Sequence, residues 1–344
     1  MGKASIYNPY LDTLGGGEKY TLSFAKVLAD KGYDVFVEWP DESIRKKLIN
    51  RFGFKLPESI NFVKSINRGD CYDLCFWVSD GSIPTLRARK NFIHFQVPFQ
   101  NVDGRSLLNK MKLFRVNEII CNSEFTKRII DKEYGVSSKV LYPPIDIKLF
   151  KPRRKENQIC YVGRFSNLVQ NKGHENLIIS FKKLVTNKKF KDWKLILAGG
   201  IEVGVGDYVT KLKKMSNKFN IEIIESPDFD KIKEIYGKSK FFWSAAGFAV
   251  DEIKNPEKVE HFGITLIESM ASGCVPIVHN SGGFKEIIDN SKNGFLWDNL
   301  SDLVNLTKET IGKPSRLWEM SINAQQKSKS YSYEKFKSKI EYII

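Results

Sequence analysis

The sequence lacks the features of a membrane-spanning, secreted or metal-dependent protein. No apolar run approaches the roughly 18 residues that a spanning helix needs. The first residues, MGKASIYNPY, contain no apolar stretch of the kind found in signal peptides. Of the five cysteines, only Cys71 and Cys75 lie close together, without a second Cys or His pair at ligand spacing. These absences predict a cytoplasmic protein with reduced, buried thiols and no metal site.

The sequence carries an excess of positive charge. Its 55 Lys+Arg against 40 Asp+Glu give a formal net charge of +15. Such a charge suits nucleic acid, an anionic membrane or an anionic small substrate. The basic residues are scattered and no nucleic-acid-binding module is recognisable, so we expect no nucleic-acid partner. A membrane surface and an anionic substrate remain as alternatives.

One segment, GRSLLNKMKLFR at residues 104–115, mixes apolar and basic residues. Its apolar members are Leu107, Leu108, Met111, Leu113 and Phe114, and its basic members are Arg105, Lys110, Lys112 and Arg115. A helix of this composition can lie on anionic lipid. The alternative, and the default for apolar side chains, is that Leu107, Leu108, Met111 and Phe114 pack on a neighbouring sheet.

Short β-rich segments alternate with helical ones, which is typical of Rossmann-like α/β domains. In the first half, the apolar segments that read as parallel strands covered on both faces are ASIY, YDVFVEW, YDLCFWVS, NFIHF and EIICNS. Two prolines and the polar stretch KPRRKEN interrupt the alternation near residues 143–156. The pattern restarts with QICYVGRF, KLILAGG, IEIIES, KFFWSAA, VPIVH and GFLW. We therefore predict one domain over 1–147, another over 148–330 and a C-terminal helix over 331–344.

Two stretches suit an anionic ligand. Gly15, Gly16 and Gly17 lie between a predicted strand and a predicted helix, where backbone N–H groups can reach an anion, although a tight turn explains them equally well. Arg164 follows the first strand of the second domain, and Lys172 precedes the next helix. Two fixed cations at such an edge suit a diphosphate, because Arg supplies a fork of donors and Lys a point charge. Two ordinary surface cations are the alternative.

The stretch EHFGITLIESMASG places a glutamate inside an apolar helix, which calls for an explanation. We predict a helix from about Gly263 to Gly273, with Glu268 one turn after Ile264. Its carboxylate can reach hydroxyl groups of a ligand across the helix start, where N–H groups favour negative charge. Glu260, just before the helix, can contact another part of that ligand. A ligand that carries hydroxyl groups, a diphosphate and further hydroxyl groups in a row is a nucleotide sugar.

Together these motifs resemble the retaining glycosyltransferases of the GT-B fold, family 4. The matching features are GGGE near the start, GRF and NKG, two glutamates separated by seven residues, and SGGFKEIIDNSKNGFLW. YPPIDIKLF and NPEKVEHFGIT look most like the mannosyltransferases that build lipid-linked glycans. The resemblance covers about residues 4–340. It implies two Rossmann-like domains facing across a cleft, an acceptor-binding first and a nucleotide-sugar-binding second, with the C-terminal helix crossing back to the first.

The resemblance also implies roles for individual residues. Glu260 and His94 are the implied catalytic residues at the transferred sugar; the alternative for His94 is a hydrogen-bonded histidine at a strand end. The implied donor-binding residues are Gly16, Gly17, Arg164 and Lys172 at the diphosphate, Glu268 at the ribose, Phe262, Gly263, Ile264 and Thr265 at the sugar, and Gly199, Gly200 and Ser226 at the base. No metal or other cofactor is implied, because cationic side chains and a helix terminus stabilise the leaving group.

Two features depart from the family's pattern. Asp228 and Asp230 in PDFD look like a metal-binding pair, but they open a helical segment, so we predict a helix cap. Ser244 stands where some relatives carry histidine, which leaves the choice of donor sugar open.

The function that we expect is retaining transfer of a hexose to a hydroxyl of a glycan or lipid-linked acceptor. Mannose from GDP-mannose is the first choice of donor and a UDP-hexose the second. A nucleotide-sugar 2-epimerase and a non-catalytic partner subunit are rival interpretations. The expected partners are the nucleotide sugar and the acceptor. An anionic membrane is an open alternative partner, and the cytoplasmic protein would then be peripheral at the inner face of that membrane.

Overall fold

The computed structural model describes residues 2–13, 15–166, 170–201 and 206–344, which form two compact units. The first unit comprises Met1–Pro144 and Tyr333–Ile344, and the second comprises Ile145–Ser332. The sequence had suggested boundaries at residues 147 and 330. The observed boundary directly follows two prolines, which lack backbone N–H groups and so cannot continue a strand ladder.

Each unit is built on one parallel sheet. The strands of the first unit are β1 (Lys3–Tyr7), β2 (Asp34–Glu38), β3 (Ile60–Val63), β4 (Leu74–Val78), β5 (Lys90–Phe95), β6 (Glu118–Cys121) and β7 (Lys139–Val140). Those of the second unit are β8 (Glu156–Val162), β9 (Lys194–Gly199), β10 (Ile221–Glu225), β11 (Ser239–Ser244), β12 (Val275–His279) and β13 (Phe295–Trp297).

The strand orders are β3-β2-β1-β4-β5-β6-β7 and β10-β9-β8-β11-β12-β13. Every ladder is parallel. The direction in which the chain adds strands reverses between β1 and β4, and again between β8 and β11. At such reversal points the carboxyl ends of the strands leave a crevice in which α/β sheets bind ligands.

Helices connect the strands. They are α1 (Gly16–Asp30), α2 (Ile44–Phe52), α3 (Leu107–Leu113), α4 (Glu124–Tyr134), α5 (His174–Val185), α6 (Gly206–Ser216), α7 (Phe229–Lys238), α8 (Ile264–Ala271), α9 (Phe284–Ile287), α10 (Leu300–Ile311), α11 (Pro314–Ser328) and α12 (Tyr333–Ile343). In the first unit, α1, α2 and α12 supply one apolar cluster and α4 supplies another. Strand β4 contributes Leu74 and Phe76 to the first cluster and Cys75 to the second. Such strands are buried on both faces, which explains their near-continuous apolar sequence.

The predicted α/β architecture of two Rossmann-like domains is confirmed. Helix α2 and strand β3 were not predicted: the sequence of α2, IRKKLINRF, is mostly polar, and β3, INFV, has only four residues. It was wrong about Cys71, which is exposed and lies in a turn with φ +65°, whereas Cys75 is buried.

The C-terminal helix α12 belongs to the first unit. Phe336 and Ile340 are buried in the same apolar cluster as α1. The ring of Phe336 meets the ring of Tyr20 edge-on, at 5.2 Å between centroids. The last helix of the sequence therefore completes the core of the domain that the first residues begin.

Helix α3 overturns the default interpretation of segment 104–115. Leu107, Leu108, Met111 and Phe114 are 76%, 62%, 65% and 94% exposed, so they do not pack on the sheet.

Across the residues that the structure describes, no helix combines the length and the apolar character needed to cross a membrane.

Candidate functional site

The cations singled out in the sequence lie at the reversal point of the second sheet. Arg164 comes two residues after β8, and Lys172 comes two residues before α5. A side chain at Gly173 would overlap Ala245, which directly follows β11, so the start of α5 lies against the end of that strand. This contact places Lys172 at the crevice between β8 and β11.

Lys172 forms an ion pair with Glu260. The Lys172 Nζ donates to Glu260 Oε2 at 3.0 Å, and both side chains are largely buried. Burial alone would raise the pKa of Glu260, but the charge and hydrogen bond of Lys172, with the charges of His261 and Arg164, outweigh it and hold the pKa below its usual value. Glu260 is therefore a carboxylate at neutral pH, close to the charged side chains of Lys172 and Arg164.

Gln170 connects this ion pair to the segment that precedes α8, and the sequence analysis did not find it. Its Oε1 accepts a hydrogen bond from Lys172 Nζ at 2.9 Å. Its Nε2 donates to the carbonyl oxygens of Val259 at 2.8 Å and Glu257 at 3.3 Å. One amide thus ties the Lys172 loop to the backbone on the N-terminal side of Glu260. No sequence motif predicts these contacts of Gln170, because two of its partners are backbone carbonyl groups, which every residue has.

A glycine turn holds Glu260 from the other side. Gly283 N–H donates to the carbonyl oxygen of Glu260 at 2.8 Å. A side chain at Gly282, where φ is +54°, would overlap that oxygen, and one at Gly283 would overlap the carbonyl oxygen of His261. The SGG motif near the end of the sequence therefore allows close backbone contact with the segment before α8.

Helix α8 begins at Ile264, after Gly263 in a left-handed conformation with φ +119°. Phe262 is buried, and Ile264 and Thr265 open the helix and are half-buried. The predicted helix from Gly263 to Gly273 agrees with the observed bounds within two residues. Free N–H groups at a helix start favour an anion, and residues 262–265 lie at such a start. Their contacts with a donor sugar stay a prediction.

Glu268 lies on the buried side of α8 and is 8% exposed. The hydroxyl of Tyr236 donates to its Oε2 at 3.5 Å. Burial, followed by the charge of Glu268, raises the pKa of Tyr236 well above its usual value, so this hydroxyl keeps its proton. Tyr236 is thus a polar neighbour of Glu268 that the sequence pattern did not predict.

The residues predicted to contact the base lie at the ends of β9 and β10. Ser226 N–H donates to the carbonyl oxygen of Gly199 at 2.7 Å. A side chain at Gly199 would overlap the carbonyl oxygen of Gly163, so this position accepts only glycine. Phe165 N–H donates to the carbonyl oxygen of Gly200 at 2.8 Å. The structure brings Gly199, Gly200 and Ser226 together at neighbouring strand ends, and their role stays a prediction.

In the first unit, Gly16 and Gly17 open helix α1. Gly15 N–H donates to Glu18 Oε2 at 2.5 Å, so a carboxylate already lies at this helix start. A side chain at Gly17 would overlap the amide of Gln96, which follows β5. The predicted diphosphate contacts of Gly16 and Gly17 remain a prediction.

His94 lies in the core of the first unit. Its ring is fully buried, stacks on Tyr20 at 4.1 Å between centroids, and donates through Nδ1 to the carbonyl oxygen of Ile120 at 3.2 Å. Burial lowers its pKa to about 3, so the ring is neutral. The Nδ1 bond agrees with the alternative of a hydrogen-bonded histidine at a strand end, whereas Nε2 is buried without a hydrogen-bond partner among the described residues. The predicted contact of His94 with the sugar stays a prediction.

Asp228 caps a helix, as the sequence analysis expected. Its carboxylate accepts from Lys231 N–H at 2.7 Å at the start of α7, and Asp230 pairs with Lys233 at 2.7 Å. Within the described ranges, no group of three His, Cys, Asp or Glu side chains is arranged to hold a metal ion.

Comparison with known proteins identifies the class. The family model of glycosyl transferases group 1 matches residues 145–327, which is more than half of the chain and almost the whole second unit. The chain therefore belongs to the group 1 glycosyl transferases, and its two Rossmann-like domains form the GT-B fold.

Individual relatives refine this picture. An uncharacterized glycosyltransferase of Haemophilus influenzae is 24% identical over 97% of this chain and 98% of its own. A GDP-Man:Man(3)GlcNAc(2)-PP-Dol alpha-1,2-mannosyltransferase of Dictyostelium discoideum is 25% identical over 62% of this chain, and the match spans only 43% of that relative. Its Xenopus tropicalis counterpart is 31% identical over 53% of this chain and 38% of its own length. The chain thus matches less than half the length of these mannosyltransferase relatives.

Solved structures agree on the fold. Anabaena HepE, in a crystal structure with UDP and glucose, has a TM-score of 0.77 at 18% identity over 99% of both chains. At this identity the likeness shows the fold alone.

Proposed function

We propose that the protein transfers a hexose from a nucleotide diphosphate sugar to a hydroxyl of a glycan or lipid-linked acceptor, with retention of configuration and without a metal ion. The observation that carries the proposal is the ion pair of Lys172 and Glu260 beside Arg164, at the reversal point of the second sheet and next to the start of α8. Fixed cations and a helix start of this kind suit a diphosphate leaving group.

In the proposed reaction, the bond between the anomeric carbon and the diphosphate oxygen breaks while the acceptor oxygen bonds to the same face of that carbon. The acceptor proton passes to the departing phosphate. Arg164 and Lys172 stabilise the negative charge that grows on the diphosphate, and Glu260 contacts the sugar as its ring changes shape. Glu268, which lies beside the hydroxyl of Tyr236, accepts hydrogen bonds from the ribose hydroxyls.

Mannose from GDP-mannose is the proposed donor. It is supported by the relatives whose names specify GDP-Man, which match this chain at 25–31% identity. A UDP-hexose is the second candidate, and a fold neighbour crystallised with UDP and glucose favours testing it. The site residues that distinguish guanine from uracil would lie near Gly199, Gly200 and Ser226.

A direct assay tests the proposal. The protein is incubated with GDP-mannose or UDP-hexoses and a panel of glycan acceptors in excess EDTA, and products are identified by mass spectrometry. We expect transfer or slow donor hydrolysis to persist in EDTA. Loss of all activity, restored by manganese, would contradict metal independence.

The two rivals give other results. A 2-epimerase would convert the donor alone into its epimer. A non-catalytic subunit would give no donor binding in calorimetry. A bound donor at a hundred times its Kd should stabilise the fold by about 2.7 kcal/mol, so thermal shift is a rapid first screen.

The proposal includes a location. A lipid-linked acceptor would require the enzyme to work at a membrane surface, and the net charge of +15 suits an anionic one. We place the protein at the cytoplasmic, inner face of such a membrane, attached peripherally.

A further inference from the structure

The large apolar side chains that are exposed differ in their degree of exposure and are unevenly distributed. Among the described residues, seven are more than 60% exposed: Leu107, Leu108, Met111, Phe114, Ile253, Trp318 and Tyr342. Four of these seven lie within residues 107–114, on or directly after α3. Single exposed apolar residues are ordinary, but a contiguous cluster marks an interaction surface.

The four side chains share one side of a helix. Leu107, Met111 and Phe114 follow the i, i+4, i+7 spacing that aligns residues along one face, and Leu108 lies beside them. We call these four residues the α3 surface.

The opposite side of α3 is anchored to the first unit. Leu113 and Val116 pack against the apolar cluster of Phe95 and Tyr134. The Ser106 hydroxyl caps the helix by accepting from Asn109 N–H at 3.3 Å. The α3 surface is therefore presented by an anchored helix.

The loop before α3 is also tied down. The Glu133 carboxylate of α4 accepts from the N–H groups of Asn101 and Val102 at 3.1 and 3.0 Å. The Arg105 guanidinium donates to the Lys132 carbonyl oxygen at 2.7 and 3.0 Å. These bonds fix the direction in which the α3 surface points from the first unit.

The charges around the α3 surface have one sign. Lys110, Lys112 and Arg115 alternate with its apolar residues, and residues 104–117 contain no acidic side chain. Lys110 and Arg115 are exposed. A helix with apolar residues on one face and cations at its border is suited to the boundary between lipid headgroups and acyl chains, with cations near anionic headgroups.

We propose that the α3 surface is the segment with which the protein docks on an anionic lipid bilayer. Leu107, Leu108, Met111 and Phe114 enter the headgroup–acyl boundary, while Lys110, Lys112 and Arg115 meet the phosphates. This inference rests on the proposed peripheral location and assigns it to one surface of the first unit. A second copy of the chain is the other occupant to be tested, and the cationic border disfavours it because two such surfaces would repel each other.

Vesicle flotation tests the proposal on the full chain without donor or acceptor, so the result does not depend on the proposed reaction. We expect the protein to float with vesicles of equimolar phosphatidylcholine and phosphatidylglycerol and not with phosphatidylcholine alone. Leu108→Glu with Phe114→Glu should reduce binding at least about a hundredfold, because two apolar side chains are lost from the boundary. The matched control is Ile253→Glu with Trp318→Glu, which should float like the wild type.

The cations are tested separately. Lys110→Gln with Arg115→Gln should weaken binding about tenfold or more, since each cation near an anionic surface contributes about a factor of five. High salt should weaken the wild type in the same way. Melting curves should be unchanged, because all four substituted positions, in α3 or directly after it, are exposed.

Three results would overturn the proposal. The wild type could fail to float with anionic vesicles at low salt. The Leu108→Glu/Phe114→Glu variant could float as well as the control. Light scattering could show a dimer that this variant dissociates while flotation is absent, which would assign the α3 surface to a second copy.

Discussion

The two units have the same kind of parallel sheet with one reversal point, yet the side chains at the two reversal points differ in charge. At β8 and β11, Arg164 and Lys172 supply positive charge. At β1 and β4, the rings of Tyr7 and Trp77 stack at 3.7 Å. Burial and the charges of nearby Glu38 and Asp80 raise the pKa of Tyr7. The topology positions a crevice in both sheets, and the loop residues decide which ligand each crevice suits.

The starts of α1 and α8 also differ in the charge that lies next to them. The first turn of α1 holds the Glu18 carboxylate, which accepts from Gly15 N–H. At the second reversal point, Glu260 lies outside α8 and is bound to Lys172. A glycine-rich helix start is therefore insufficient evidence of an anion site, because a carboxylate of the chain itself can occupy it.

The largest expected effect concerns the two cations. Lys172→Ala and Arg164→Ala should each weaken binding of the matching nucleoside diphosphate by about a hundredfold, as expected when a charged hydrogen bond of roughly 2.7 kcal/mol is lost. Binding of the nucleoside without phosphate should stay the same. Calorimetry measures both, with Lys188→Ala as an exposed control in the second unit. Equal losses for nucleoside and diphosphate would remove these cations from the phosphate site.

The next effect separates the two glutamates. Glu260→Ala should lower kcat by about 10²-fold, or roughly 2.7 kcal/mol of transition-state stabilisation, because the sugar changes charge and shape during transfer. KM for the donor should not rise, since Lys172 loses a competing carboxylate. Steady-state kinetics check this.

Glu268→Ala should chiefly raise KM, by about tenfold, because ribose contacts are the same in ground and transition states. Glu268→Gln keeps the shape of the side chain and serves as its control. A large loss of kcat in Glu268→Ala, with only KM changed in Glu260→Ala, would reverse the two roles.

A smaller effect is expected for Gln170, which positions Lys172 and Glu260 without contacting the ligand. Gln170→Ala should weaken diphosphate binding and lower kcat by about tenfold, because the hydrogen bonds that orient Lys172 contribute roughly 1.4 kcal/mol of free energy. Gln170→Glu should be no better, because its carboxylate would face the carbonyl oxygens of Val259 and Glu257. Wild-type kinetics in both variants would show that the Lys172 loop is positioned without this amide.

The smallest effect tests the first unit. Glu18→Ala removes the carboxylate from the start of α1 and should lower the free energy of unfolding by about 1 kcal/mol. If Gly16 and Gly17 contact the diphosphate, its binding should tighten about threefold, since a negative charge leaves the helix start. Denaturant unfolding and calorimetry measure the two quantities. Unchanged binding would confine the diphosphate site to the second unit.

The fold was predictable because strands buried on both faces leave near-continuous apolar runs, as in β4, β5 and β8. Helix α2 was not, because its sequence IRKKLINRF is mostly polar and it buries only Ile44 and Leu48. The exposure of α3 was left open, since an apolar stripe looks the same whether a sheet covers it or not.

The candidate site was predictable where charged residues stand at strand and helix ends, as Arg164, Lys172 and Glu260 do. The burial of His94 could not be predicted, because a strand-end pattern does not say whether the ring points into the core. Gln170 and Tyr236 could not be found from the sequence, since their partners come from distant segments.

The contribution of α12 to the first unit has a consequence for how the chain acquires its structure during synthesis. Residues 1–144 leave the ribosome before Phe336 and Ile340, which fill their core, and residues 145–332 lie between them. The second unit, continuous over 145–332, can fold before the first is complete. Until then the first unit stays incompletely folded and exposes apolar surface. Partly folded domains in this state aggregate or bind chaperones.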